Sequence, residues 1–138
     1  ILNNWWNYTD RANFKKLKNK IINYYNKIEV LEGKYINGEK TVNENIADMG
    51  ALKIITEIAL NKGATTEDLK TMYSSFATFW QSQATEEYSR LLLLNDSHSP
   101  NKYRVNAVLS LTDEFYKVYN IYPWNDMYIS EKNRVSIW

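Results

Sequence analysis

The sequence contains no cysteine, which excludes a disulfide framework and thiolate chemistry. Glycine and proline are scarce, with 4 and 2 residues in 138, so helix formers dominate and a mainly helical chain is expected. No signal peptide or transmembrane run is found. That absence has no bearing on secretion, because the first residue is Ile1 rather than Met and we expect the natural N-terminus to be missing.

Positive and negative charges are nearly balanced, since 17 basic and 16 acidic residues leave a formal net charge of +1. A nucleic-acid binder would carry a basic footprint, so that class is excluded, and the lysines of residues 15–20 are interpreted as a solvated helix face. The 5 Trp and 11 Tyr then indicate aromatic packing rather than base stacking. With no repeat or linker, residues 1–138 are predicted to form a single domain.

Apolar residues recur at helical spacing along most of the chain. We expect a helix capped by Thr9, a central helix that runs to about Asn61 with Gly63 as its C-cap, and a helix opened by Thr65. The third helix carries an aromatic stripe that we expect to be core. Its apolar positions are Leu69, Met72, Tyr73, Phe76, Phe79 and Trp80.

The C-terminal half predicts shorter helices over 84–94, 101–110 and 112–119, with a last turn near Ser130. In the first of these, Tyr88, Leu91, Leu92 and Leu94 are expected to point inward. Before the central helix, Asn37-Gly38 is a hairpin turn signal, so a short extended piece or hairpin is predicted around Tyr35–Glu39.

The most informative stretch opens the central helix, where Glu44 and Asp48 lie four positions apart and therefore share a helix face. From Ile46 to Leu60 this helix is apolar on nearly all sides, which is typical of an interior helix. Buried carboxylates need partners, such as a metal, a histidine, a basic residue or backbone amides. The alternative is a plain helix start, capped by Thr41 or Asn43, with acids in its first turn.

Several motifs occur together in one order. Asn43-Glu44-Asn45-Ile46-Ala47-Asp48 is followed by Gly50, with Trp5-Trp6 upstream, His98-Ser99-Pro100 and Tyr103-Arg104-Val105-Asn106 downstream, and Arg134 to Trp138 at the end. This arrangement resembles the neprilysin-type zinc metalloendopeptidases, and among them the bacterial oligoendopeptidase O-like members. The resemblance extends over essentially all 138 residues.

The resemblance implies a mainly α fold, the C-terminal part of a thermolysin-like metallopeptidase catalytic domain, built as a helical bundle with at most a very short hairpin. One family element is missing. The His-Glu-x-x-His helix supplies two zinc ligands and the general base, whereas this chain has a single histidine, His98, outside that motif. We therefore expect the chain to be the C-terminal piece of a larger peptidase, cut after that helix.

By resemblance, four residues carry the site. Glu44 would be the third zinc ligand, and Asp48 would accept the outer N–H of a zinc-bound histidine. His98 would donate to the oxyanion of the tetrahedral intermediate, and Arg104 would bind a substrate backbone carbonyl and help to hold Asp48. The ordinary alternatives are a capping glutamate, a buried salt bridge, a structural histidine and a salt bridge at the core rim.

The function implied is hydrolysis of short peptides by metal-activated water, with one zinc ion in the full-length protein and little or none in this chain, which is expected to be inactive alone. The partners are then peptide substrates and the missing N-terminal part, with self-association of the piece. No nucleic acid and no membrane segment are expected. Members of the family that work outside animal cells use disulfides, so by this resemblance the lack of cysteine implies a bacterial relative. Its localisation stays open between the cytoplasm and the cell surface, with the cytoplasm favoured.

The competing hypothesis is a helical protein-interaction module derived from a degenerate peptidase. The two hypotheses differ in what surrounds the carboxylate pair. An open groove beside Glu44 and Asp48 favours the peptidase, whereas a pair fully closed by internal Arg or Lys favours the module.

Overall fold

A computed structural model describes residues 5–137, so the predicted aromatic end at Trp138 lies outside the described residues. The expected mainly helical fold with a very short hairpin is confirmed. The elements in chain order are α1 (Tyr8–Tyr25), β1 (Glu29–Leu31), β2 (Lys34–Tyr35), α2 (Gly38–Asn61), α3 (Thr66–Phe79), α4 (Glu86–Asn95), α5 (Asn101–Ser110), α6 (Asp113–Tyr119) and a 3₁₀ turn (Glu131–Asn133).

The hairpin turn lies at Gly33, not at Asn37-Gly38, so the predicted turn position is wrong. Gly33 has φ +66°, which lets β1 and β2 pair antiparallel through a tight turn. Asn37 instead caps α2, because its side-chain oxygen accepts the Lys40 backbone N–H at 3.0 Å. Asparagine serves both roles, and the sequence alone does not distinguish them.

The central helix α2 begins at Gly38, six residues before Glu44. Glu44 and Asp48 therefore lie beyond the first turn, and the interpretation of these acids as a helix start capped by Thr41 or Asn43 is wrong. Thr41 is buried inside the helix, and its hydroxyl donates to the Asn37 carbonyl at 3.1 Å. The predicted cap of α1 is also displaced, from Thr9 to Asn7.

Two clusters of buried side chains form the core, and α5 contributes to both. The first lies between α1 and α2 and includes Ala107; the second joins α2, α3 and α6 and includes Val108. Met49 packs against both clusters from α2. This arrangement fixes α2 and α5, the two helices that carry the candidate site, against each other.

Helices α1 and α2 meet closely at Gly38. A Cβ there would collide with the Ile22 carbonyl oxygen and would press on the Asn26 side chain. Asn26 also accepts the Gly38 backbone N–H at 2.7 Å, so the end of α1 binds the start of α2. The glycine is needed for this close approach.

One face of α2 is open to solvent. The expectation that α2 is an interior helix is therefore wrong for this face. Ile54, Ile55 and Ile58 are 57%, 50% and 48% exposed, and Ala47 and Ala51 on the same side are exposed too. We call these five residues the outer face of α2. Within residues 5–137 this apolar face is left uncovered, although single exposed apolar residues are common on folded proteins.

Two further burial predictions are wrong. Phe79 and Leu94 are each 77% exposed, and Tyr88 and Leu91 are more than half exposed. Helix α4 has no buried residue, and the helical pattern alone does not reveal whether a face has a partner. By contrast, the start of α3 at its N-cap Thr65, the bounds of α5 and the end of α6 at Tyr119 are confirmed, and α6 begins at Asp113, directly after Thr112. No helix of the described part is long and apolar enough to cross a membrane.

Replacing Gly38 by alanine should lower the free energy of unfolding by about 1–3 kcal/mol, because the added methyl group forces α1 and α2 apart. Urea unfolding followed by circular dichroism measures the change. Glu39→Ala is the control, since it alters an exposed neighbour in the same turn. Equal stability of Gly38→Ala and Glu39→Ala would contradict the close approach.

Candidate active site

Glu44 and Asp48 project from the same side of α2 into different surroundings. The Glu44 side chain is 43% exposed, and the Asp48 side chain is only 13% exposed. One helical turn therefore separates an accessible carboxylate from a nearly enclosed one. The two acids also differ in the side chains that they contact.

Asp48 is neutralised by Arg104, which reaches it from the first turn of α5. Arg104 Nε donates to Asp48 Oδ2 and Nη2 donates to Oδ1, each at 2.7 Å, so the pair is bidentate. The guanidinium also stacks on the Trp80 ring, 3.8 Å from its centre. These hydrogen bonds to Asp48 raise the pKa of Arg104 above its ordinary value.

His98 lies in the loop between α4 and α5 and faces Glu44. Its Nε2 is 3.4 Å from Glu44 Oε2, and its Nδ1 is 2.8 Å from Asp96 Oδ1. The ring thus bridges a residue of its own loop and a residue of α2. The structure brings this lone histidine to the predicted zinc ligand.

Asp96 is a site residue that the sequence analysis missed. Its Oδ1 accepts the His98 backbone N–H at 2.9 Å as well as facing the ring, and these contacts lower the pKa of Asp96. An Asx turn of this kind fixes the direction of the residue two places on. The signal available in the sequence is the spacing Asp-x-His, which is also ordinary turn composition.

The four predicted residues and Asp96 form one cluster, and three of the five, Asp96, His98 and Arg104, line an open cleft. The charges of Asp48, Glu44 and Asp96 all favour the protonated form of Arg104. Beside them, a cleft of about 470 Å³ is lined by Asp96, His98 and Arg104 together with α4. Asp48 is thus closed by an internal arginine, whereas Glu44 and His98 remain at an accessible surface.

The described residues around Glu44 supply only part of the ligand set that a divalent cation needs. Glu44 forms no ion pair with Lys or Arg among residues 5–137, so its carboxylate is available as an oxygen donor of a type that zinc accepts. Within the described part, however, no three His, Asp or Glu side chains converge on one point. Tetrahedral coordination would need further ligands from outside these residues.

The chain matches a known family over nearly its whole length. The model of peptidase family M13 matches residues 1–135. A neutral endopeptidase of Lactococcus lactis is 33% identical over 137 residues, a stretch that covers 99% of this chain and 21% of the relative. The chain therefore spans about a fifth of the length of that relative.

Solved structures show the same fold. PepO from Lactobacillus rhamnosis superposes with a TM-score of 0.89 at 28% identity, covering 99% of this chain and 21% of that protein. The Mycobacterium tuberculosis zinc metalloprotease Zmp1 superposes with the same score at 24% identity, covering 99% and 23%. The similarity to PepO therefore extends to both sequence and fold, whereas the similarity to Zmp1 is one of fold.

Asp48→Asn should lower the free energy of unfolding by about 2 kcal/mol, because the enclosed Arg104 then lacks its counter-ion. Glu44→Gln, on the same helix, should change it by less than about 0.5 kcal/mol, since Glu44 has no basic partner. Denaturant unfolding compares the two variants. A large effect of Glu44→Gln would identify Glu44 as a structural residue.

Acid should disrupt the Asp96–His98 turn at a pH below the ordinary aspartate pKa of 3.8. A lowered folded-state pKa means that the stabilisation is complete above the unfolded value and is lost as pH falls through the folded one. The chemical shift of the His98 backbone amide, followed by NMR from pH 6 to pH 2, measures the midpoint. A midpoint at or above 3.8, or the same transition in Asp96→Asn, would contradict this assignment.

Proposed function

This chain belongs to peptidase family M13, and from that membership we propose that it forms part of a zinc-dependent endopeptidase that hydrolyses short peptides with metal-activated water. The observation that carries the proposal is the accessible Glu44 carboxylate, which has His98 beside it and no basic partner among the described residues. A bound zinc ion supplies a Lewis acid and lowers the pKa of its water. Glu44 would be one of its protein ligands.

Asp48, Arg104 and His98 have complementary roles in this proposal. Asp48, held by Nε and Nη2 of Arg104, would accept the N–H of a zinc-bound histidine and orient its ring. Arg104 keeps Nη1 for a substrate backbone carbonyl. His98, oriented by Asp96, would donate from the Nε2 side to the oxyanion that forms during hydrolysis.

The remaining machinery would come from the part of the protein that this chain does not include. The chain spans 21% of its Lactococcus relative, and the family resemblance implies a His-Glu-x-x-His helix upstream with two ligands and the general base. We therefore expect the isolated chain to bind zinc weakly and to cleave no peptide. The complete protein would do both.

The outer face of α2 supports this division, because it lies on the same side of the helix as Glu44. We infer that this face packs against the preceding part of the protein, which would also bring the missing ligands to Glu44. In the isolated chain, a second copy would cover the same apolar residues. The same face also favours the second candidate function, an interaction module without catalysis.

Peptide hydrolysis and bound zinc should appear only in a protein that joins this chain to its upstream region. Glu44→Ala should abolish both in that protein, because a zinc ligand is lost. Glu39→Ala, another acid of α2, is the matched control and should leave both intact. Absence of zinc and of hydrolysis in the joined protein would overturn the peptidase and leave the interaction module.

The isolated chain should self-associate at micromolar concentration, and Ile55→Glu should shift it to the monomer by placing a charge on the outer face of α2. Sedimentation velocity measures the change. Trp124→Glu is the control, because Trp124 is 78% exposed and lies in the segment that follows α6 rather than on α2. A wild-type chain that is monomeric throughout would contradict the role of this face.

A further inference from the structure

A buried hydrogen bond joins the two segments that carry the candidate site. Ser99 Oγ donates to Asn45 Oδ1 at 2.7 Å, and the two residues are only 2% and 1% exposed. Each follows a proposed functional residue directly, since Asn45 comes after Glu44 and Ser99 comes after His98. This side-chain bond therefore links the two segments at the positions directly after His98 and Glu44.

The acceptor side of this bond is itself held in place. Asn45 Nδ2 donates to Thr41 Oγ1 at 3.0 Å, and the Thr41 hydroxyl donates to the Asn37 carbonyl at 3.1 Å. The chain of hydrogen bonds ends at the residue that caps α2. Because polar groups buried here are paired with one another, few alternative side-chain arrangements are open to Asn45.

Other contacts that α2 makes with the end of α4 and with the His98 loop are more accessible to water. Lys40 Nζ donates to the Leu94 carbonyl at 2.6 Å in an exposed position, and the His98–Glu44 contact is itself half-exposed. The hydrogen bonds that Asp96 accepts come from His98 within the loop, and Asp96 interacts with α2 through electrostatic attraction to Lys40. A buried neutral bond keeps its geometry better than exposed ionic contacts, which water and salt weaken.

We propose that Asn45 and Ser99 are positioning residues, which set the separation between the His98 ring and the Glu44 carboxylate. This inference rests on the proposed function for its catalytic meaning, because the peptidase needs both groups at one substrate carbonyl. A displacement of about 1 Å of such groups can lower a rate about 100-fold. Neither residue touches the reacting atoms in this account, and each acts through its neighbour.

The position of the ring can be measured without zinc or activity. His98 is the only histidine of the chain, so its imidazole gives one unambiguous set of NMR signals. In the wild type, the ring protons should show NOE contacts to the Glu44 side chain. Ser99→Ala should lose these contacts, and Ser99→Thr, which keeps the hydroxyl, should retain them.

Ser110→Ala is the matched control, because Ser110 is also a buried serine and lies at the opposite end of α5 from Ser99. It should leave the His98 ring contacts unchanged. Should Ser99→Ala fail to fold, Ser99→Cys supplies a similar volume with a weak donor and should show partial loss. Unchanged ring contacts in folded Ser99→Ala or Ser99→Cys would overturn the positioning role.

Kinetics of the protein joined to its upstream region provide the second measurement. Ser99→Ala should lower kcat by about 10-fold to 100-fold and change KM little, while Ser99→Thr restores kcat and Ser110→Ala leaves it intact. Equal kcat of Ser99→Ala and wild type would overturn the inference. A wild-type protein without hydrolysis would instead overturn the proposed function, and the NMR contacts would still decide the positioning role.

Discussion

The bidentate pair between Arg104 and Asp48 determines how the candidate site is held together. It joins α2 to α5 with two hydrogen bonds of 2.7 Å, and Trp80 covers the guanidinium from one side. A pair that is this well enclosed resists separation, because breaking it would leave a charge with little water around it. The same two helices also share both hydrophobic clusters, so packing and charge act together.

The fixed pair leaves the neighbouring carboxylate without a basic partner. Glu44 is one turn from Asp48 on the same side of α2, yet the side chain that faces it in the described part is His98. Two acids at this spacing have different chemistry because only one of them is within reach of Arg104. The Asn45–Ser99 bond and Asp96 then hold the His98 loop beside the accessible acid.

The helix boundaries could be predicted from the sequence where local residue chemistry determines them. The helix over 101–110 and the helix opened by Thr65 were both expected, because Pro100 permits a helix start after it and Thr65 is followed by acids. The outer face of α2 could not be predicted, because periodicity shows which residues need cover and not whether this chain supplies it. Asp96 was missed because turn composition does not reveal that its carboxylate faces the ring.

We propose that Glu44 is a zinc ligand, and zinc-edge anomalous diffraction or X-ray absorption on the protein that joins this chain to its upstream region measures this directly. Zinc should then lie about 2.0–2.2 Å from a Glu44 carboxylate oxygen, with histidine nitrogens completing the protein ligands. Zinc bound elsewhere, with Glu44 paired to a lysine or arginine, would contradict it.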